Sequence, residues 1–194
     1  MHTMACCLTD YLILNGFIEG NKSEEYIYGF EVIFGKILNY GTLLILACIN
    51  HNLIPTMFFM ASFFSLRGRT GGYHAKKPLS CYFGTFIIYI FVTKAAAPLI
   101  MSNHYFLYGI VVISGILIFA FSPVNHPNLD LDEEEIRQCR NSSRWLTILI
   151  SICVLFFVWL DVIPVFLSYV VAGMGMDALL LLLAKILKQE VVRK

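Results

Sequence analysis

A histidine and a cysteine seven positions apart, His74 and Cys81, lie in the stretch Arg67-Gly-Arg-Thr-Gly-Gly-Tyr-His-Ala-Lys-Lys-Pro-Leu-Ser-Cys81. An imidazole about 3 Å from a thiol can take its proton, and the thiolate so formed attacks a carbonyl carbon. Arg67, Arg69, Lys76 and Lys77 surround the pair with positive charge, which favours the thiolate, and the stretch holds no acidic residue. On an unbroken helix the two groups would share a face but stand about 10 Å apart, so the chain must fold back for them to meet. Gly71-Gly72 can enter backbone regions closed to other residues, which predicts a tight bend just before His74, and Pro78 interrupts a helix between the two. The competing reading is structural: a cysteine used for packing, in a loop whose cations only mark the side of a membrane.

Other polar groups stand where apolar residues dominate. Lys94 lies 13 residues beyond Cys81, too deep for simple snorkelling, which favours an interior role with Glu31 or Asp177 as its partner. Asp177 interrupts the last apolar run and should face protein or water; its partner cannot be read from the sequence. His51, His104 and His126 sit in short polar turns and read as solvated. The six cysteines, Cys6, Cys7, Cys48, Cys81, Cys139 and Cys153, show no paired spacing of the disulfide or zinc kind, so no metal and no cofactor is expected. No basic cluster has the aromatic interleaving of a nucleic-acid surface.

The elements that must hold these groups are membrane helices. Of 194 residues, 58% are hydrophobic and 14% charged, and the mean hydropathy is +0.74. No Asp, Glu, Lys or Arg occurs between Ile37 and Leu66, nor between Lys94 and Asp130, and each stretch exceeds the roughly 20 residues of one crossing. The pattern predicts an all-α, polytopic membrane protein forming one domain over 1–194. An amphipathic interfacial helix is expected in residues 1–20, with Met4, Leu8, Tyr11 and Leu12 as its apolar stripe and Gly16, Gly20 and Asn21 ending it. About six transmembrane helices follow: Gly29–Cys48, Leu53–Leu66, Cys81–Met101, Tyr105–Phe121, Trp145–Leu160 and Val162–Ala184. The segment 67–81 and a polar loop over 122–144 join them.

With both termini in the cytoplasm, twelve basic residues fall on that side, and the loops at Asn50–Asn52, Ser102–His104 and Asp161 carry none. Segments 67–81 and 122–144 then lie inside the cell. Removing one span would put a basic loop outside.

Arg67, the Gly-Gly-x-His-Ala run at Gly71–Ala75, Cys81, the segment Tyr28-Gly-Phe-Glu31 and the proline-containing loop after the fourth span resemble the accessory gene regulator protein B family. These are AgrB-like membrane cysteine endopeptidases of Gram-positive bacteria, and the resemblance covers nearly the whole chain. It implies that His74 is the catalytic base and Cys81 the nucleophile, with Arg67 and Gly72 needed for activity and Gly71 in support. It implies a short amphipathic precursor peptide, AgrD-like, as substrate, cut at the C-terminal side of its future ring and cyclised for quorum sensing. A homodimer in the bacterial cell membrane, in contact with lipid, is expected by the same resemblance. The acidic run Asp130–Glu135 either attracts a basic leader or is simply a solvated loop. Outside the resemblance, Lys94, Glu31 and Asp177 keep open a small transporter or exporter of peptide without proteolytic activity, and a purely structural membrane subunit is a third class.

Overall fold

The computed structural model describes residues 2–73, 78–125, 131–160 and 165–188, and within them the chain is helical almost throughout. Its helices are α1 (His2–Leu14), α2 (Ser23–Ile49), α3 (Leu53–Thr70), α4 (Pro78–Phe91), α5 (Ala97–Ser102), α6 (His104–Phe121), α7 (Glu133–Trp159) and α8 (Val165–Ile186). No strand forms among the described residues; Gly71 and Val124 make an isolated parallel bridge. The chain divides into two compact units, Met1–Leu46 and Ala47–Lys194, with α2 running from one into the other.

In the first unit, α1 stops where its sequence says it should. Gly16 takes φ +72°, the Phe17 amide donates to the Leu12 carbonyl at 3.0 Å and the Gly16 amide to Ile13 at 2.9 Å. This paired arrangement caps the last carbonyls of a helix and favours glycine at the left-handed position. Met4 and Tyr11 of the expected apolar stripe are 64% and 60% exposed.

The second unit is built around α8. It packs most extensively against α3 and α6, and also meets α5 and the turn before it. Leu66, Ile118, Val124, Met174, Ala178, Leu181 and Ala184 form a buried cluster that joins α3, α6 and α8. Two glycines let the helices approach: a Cβ on Gly173 would strike the Ser62 hydroxyl and lie 3.2 Å from the Phe59 carbonyl, and one on Gly175 would lie 2.9 Å from Ile110. Close approach through small residues is how helices pack where lipid removes the hydrophobic drive. The outward faces of α4, α6 and α7 remain apolar, with Ile87, Phe91, Val112, Ile116, Ile152 and Phe156 exposed.

Among the described residues, four helical stretches are long and apolar enough to cross a membrane: Gly20–Ile49, Cys81–Ser102, Glu133–Trp159 and Val165–Ile186. This is an all-α membrane protein; of the six expected spans, four correspond to these stretches, and Tyr105–Phe121 is a shorter apolar helix. α3 carries Ser62, Ser65, Arg67, Arg69 and Thr70 among its aromatic residues, and it lies against α8.

Two further expectations change. The polar loop over 122–144 is helical from Glu133: Asp132 accepts from the Glu135 amide at 2.7 Å, and the Glu135 carboxylate accepts from the Asp132 amide at 3.0 Å. That reciprocal cap, with Glu133 and Glu134 against the positive helix end, starts α7 early. Asp132–Glu135 is therefore a helix start; Asp130 lies outside the described residues. Lys94, expected in the interior, is exposed on the π-helical turn Val92–Ala96. Pro98 follows; it has no amide hydrogen for the carbonyl four residues back, and the helix absorbs the missing bond with one wide turn.

Candidate active site

Arg67 and Thr70 lie in the last turn of α3, where the final carbonyls of a helix need partners from outside it. Directly after them the chain reverses through Gly71, at φ +69°, and Gly72, at φ +94°. Both values fall in the left-handed region open mainly to glycine. The bend expected before His74 is therefore present in the backbone, and sterics demand glycine a second time. A Cβ on Gly71 would strike the Val124 carbonyl, and one on Gly72 would occupy the place of an Arg67 guanidinium nitrogen.

Arg67 turns back over this reversal. Two guanidinium nitrogens donate to the carbonyls of Gly71 and Tyr73, so a planar fork clamps both ends of the bend. Backbone bonds fix it to its neighbours: the Tyr73 amide donates to the Leu180 carbonyl of α8 at 3.1 Å, and the Val124 amide donates to the Thr70 carbonyl at 2.9 Å. Asn125 extends that support by gripping both the amide and the carbonyl of Leu131, at 3.1 and 3.2 Å.

Asp177 of α8 lies beneath the bend with no exposed surface. The Thr70 hydroxyl stands 3.0 Å from each carboxylate oxygen and 3.1 Å from the Leu66 carbonyl, so its one proton serves one acceptor at a time. Arg67 acts on the carboxylate through charge. Burial pulls the Arg67 guanidinium below its ordinary pKa, while the charge of Asp177 chiefly pushes it back up. An arginine remains protonated in proteins, so the site carries a fixed cation.

Cys81 is partly buried in the first turns of α4, which Pro78 opens at the position where a missing amide hydrogen costs nothing. Its carbonyl accepts from Thr85 at 3.1 Å, as in an ordinary helix. The thiol is free and lies near the N-terminus of α4.

The structure thus brings together Arg67, Thr70, Gly71, Gly72 and Asp177, while Cys81 stands in the opening turns of α4. His74 lies outside the described residues, as do Ala75, Lys76 and Lys77. Glu31 belongs to the other unit, where its carboxylate meets the His2 ring at 2.8 Å; the other ring nitrogen of His2 is 3.6 Å from the Cys6 sulfur. Lys94 has no ion pair among the described residues of its own unit, so the suggested pairing with Asp177 is replaced by Thr70. Thr70 carries no local signal of this role, because a hydroxyl at a helix end does not tell which carboxylate 107 positions away it will meet. No group of three or more His, Cys, Asp or Glu suited to a metal ion occurs among the described residues.

The sequence model of one protein family, described as accessory gene regulator B, matches residues 5–183. No curated protein and no solved structure matches the chain significantly.

Proposed function

We propose, because this chain belongs to the accessory gene regulator B family, that it is a membrane cysteine endopeptidase acting through Cys81 and His74. The family takes part in processing the precursor peptide of agr quorum sensing, which sets the substrate class. The observation that carries the reading is a free thiol, Cys81, in the opening turns of α4, ten residues after a double-glycine reversal clamped by Arg67.

His74, one residue beyond the clamped bend, takes the thiol proton. The thiolate attacks the scissile carbonyl, and the tetrahedral intermediate collapses as His74 returns the proton to the departing amine. The precursor's C-terminal tail leaves, and an acyl thioester remains on Cys81. An internal thiol of the precursor then attacks that acyl carbon and releases Cys81, exchanging one thioester for another of similar energy. An internal hydroxyl in the same place would give a lactone. Water is the competing acceptor and gives linear product, so the site must hold the internal nucleophile close while limiting water.

Arg67 serves this chemistry as a clamp, because its fork is engaged with two backbone carbonyls. Backbone amides near Gly72 and Cys81 are then the better candidates for stabilising the oxyanion. The substrate arrives from the cytoplasmic face as an amphipathic peptide concentrated on lipid, and the enzyme works as a homodimer.

The test follows the mass of a synthetic AgrD-like precursor mixed with the purified protein in lipid, for wild type, Cys81→Ala and His74→Ala. Wild type should release a truncated peptide and form a thioester adduct, and Cys81→Ala should do neither. Undiminished cleavage by Cys81→Ala, or an intact peptide with wild type, would overturn the assignment.

A further inference from the structure

A carboxylate with no exposed surface, inside an apolar helix, is costly unless its partners hold it firmly. The mechanism above makes no use of Asp177, yet every contact the structure gives it leads to the active segment. Thr70, its hydrogen-bond partner, is the residue immediately before the double-glycine bend. Arg67, on the same turn of α3 as Thr70, is the clamp on that bend. One turn further along α8, the Leu180 carbonyl receives the amide of Tyr73, the residue before His74. α8 therefore grips the bend at both ends, by a side chain at Thr70 and by its backbone at Tyr73.

We propose that Asp177 is a positioning residue for the acyl-transfer step: from α8 it holds Thr70, and through Thr70 it fixes the Gly71–Tyr73 reversal that immediately precedes His74 in the chain. This rests on the peptidase reading of Cys81 and His74. The alternative use of such a residue, in ion-coupled transport, needs a carboxylate facing an open passage. Here the carboxylate faces a hydroxyl donated by another helix and is closed off from solvent. Its neighbours Met174, Ala178 and Leu181 are packed into the buried cluster with Leu66 and Val124, so α8 is a firm base for the grip.

The contact makes distinct demands on its two members. Thr70→Ser keeps the donor, Thr70→Val removes it, and Asp177→Ala removes the acceptor and the charge together. The experiment compares these three variants with wild type in lipid nanodiscs, reading cleavage of the synthetic AgrD-like precursor and amide exchange across residues 71–73. Thr70→Ser should stay within about twofold of wild type, and Thr70→Val should lose about tenfold in kcat with KM within about twofold. Asp177→Ala should lose about a hundredfold in kcat, and the Thr70→Val/Asp177→Ala pair should lose no more than that, as expected for residues acting through one contact. Exchange at 71–73 should quicken by about tenfold in Thr70→Val and Asp177→Ala, while α6 and α7 exchange as in wild type.

Unchanged kcat in Asp177→Ala, with cleavage still dependent on Cys81, would overturn the positioning role and leave the peptidase reading standing. So would a loss confined to KM, or exchange at 71–73 equal to wild type. If wild type shows no Cys81-dependent cleavage, the peptidase reading fails, and the exchange rates alone decide whether Asp177 holds the bend.

Discussion

At the scale of single residues, the site rests on two glycines and an arginine that exclude replacement for different reasons. Gly72→Ala must both strain a backbone at φ +94° and expel a guanidinium nitrogen from the position of the new methyl. We expect it to destabilise the protein by about 2 kcal/mol and to abolish cleavage, read by thermal melting in detergent and by peptide mass. Gly115, in α6, has nothing near its missing Cβ. Gly115→Ala should therefore raise stability by about 0.5–1 kcal/mol and leave cleavage unchanged in the same two assays. Arg67→Lys keeps the charge but cannot span two carbonyls with one ammonium group. Cleavage should fall at least about tenfold, because a single net hydrogen bond of a charged donor is worth about 1.5–3 kcal/mol.

At the scale of elements, α8 decides the packing and α7 carries its own start signal. Gly173→Ala would place a methyl 3.2 Å from the Phe59 carbonyl and 3.3 Å from the Phe63 amide nitrogen, backbone atoms that cannot rotate away. α3 would have to move off α8, at a cost of about 1–3 kcal/mol in thermal melting; a melting point equal to wild type would show that the two helices are less tightly seated. The Asp132 cap acts locally. Asp132→Ala should weaken the start of α7 by about 1 kcal/mol, seen as faster amide exchange at 133–135, with cleavage unaffected.

At the scale of the whole molecule, the loops between helices report which side of the bilayer each one faces. The orientation expected from the positive-inside rule puts Cys81 and Cys139 on the cytoplasmic side and Asn52 and Asn103 on the outer side, and it is open to a direct test. A membrane-impermeant maleimide applied to intact cells should therefore label Asn52→Cys and Asn103→Cys, and reach Cys81 and Cys139 only after permeabilisation. Labelling of Cys81 in intact cells would mean that α3, which ends in Arg67, Arg69 and Thr70, does not cross.

Much of this was written in neighbouring residues. Long charge-free runs announce membrane helices; Gly16 announces the end of α1; Gly71-Gly72 announces a reversal; and Arg67, the glycines and Cys81 identify the family. Each is a local property, fixed by the chemistry of a few consecutive side chains. The π turn at Lys94 and the early start of α7 were local too, in Pro98 and in the Asp132–Glu135 spacing, though hydropathy masked both.

Tertiary structure alone decided that Asp177 meets Thr70 across 107 positions, that Arg67 folds over its own helix end, and that α8 is the helix on which the bend is hung. The physical reason lies in the solvent. In water, a polar face and an apolar face tell which side of a helix turns inward, but in lipid both sides are apolar. The rotation of each helix, and with it the choice of partner for a buried carboxylate, emerges only when the helices pack.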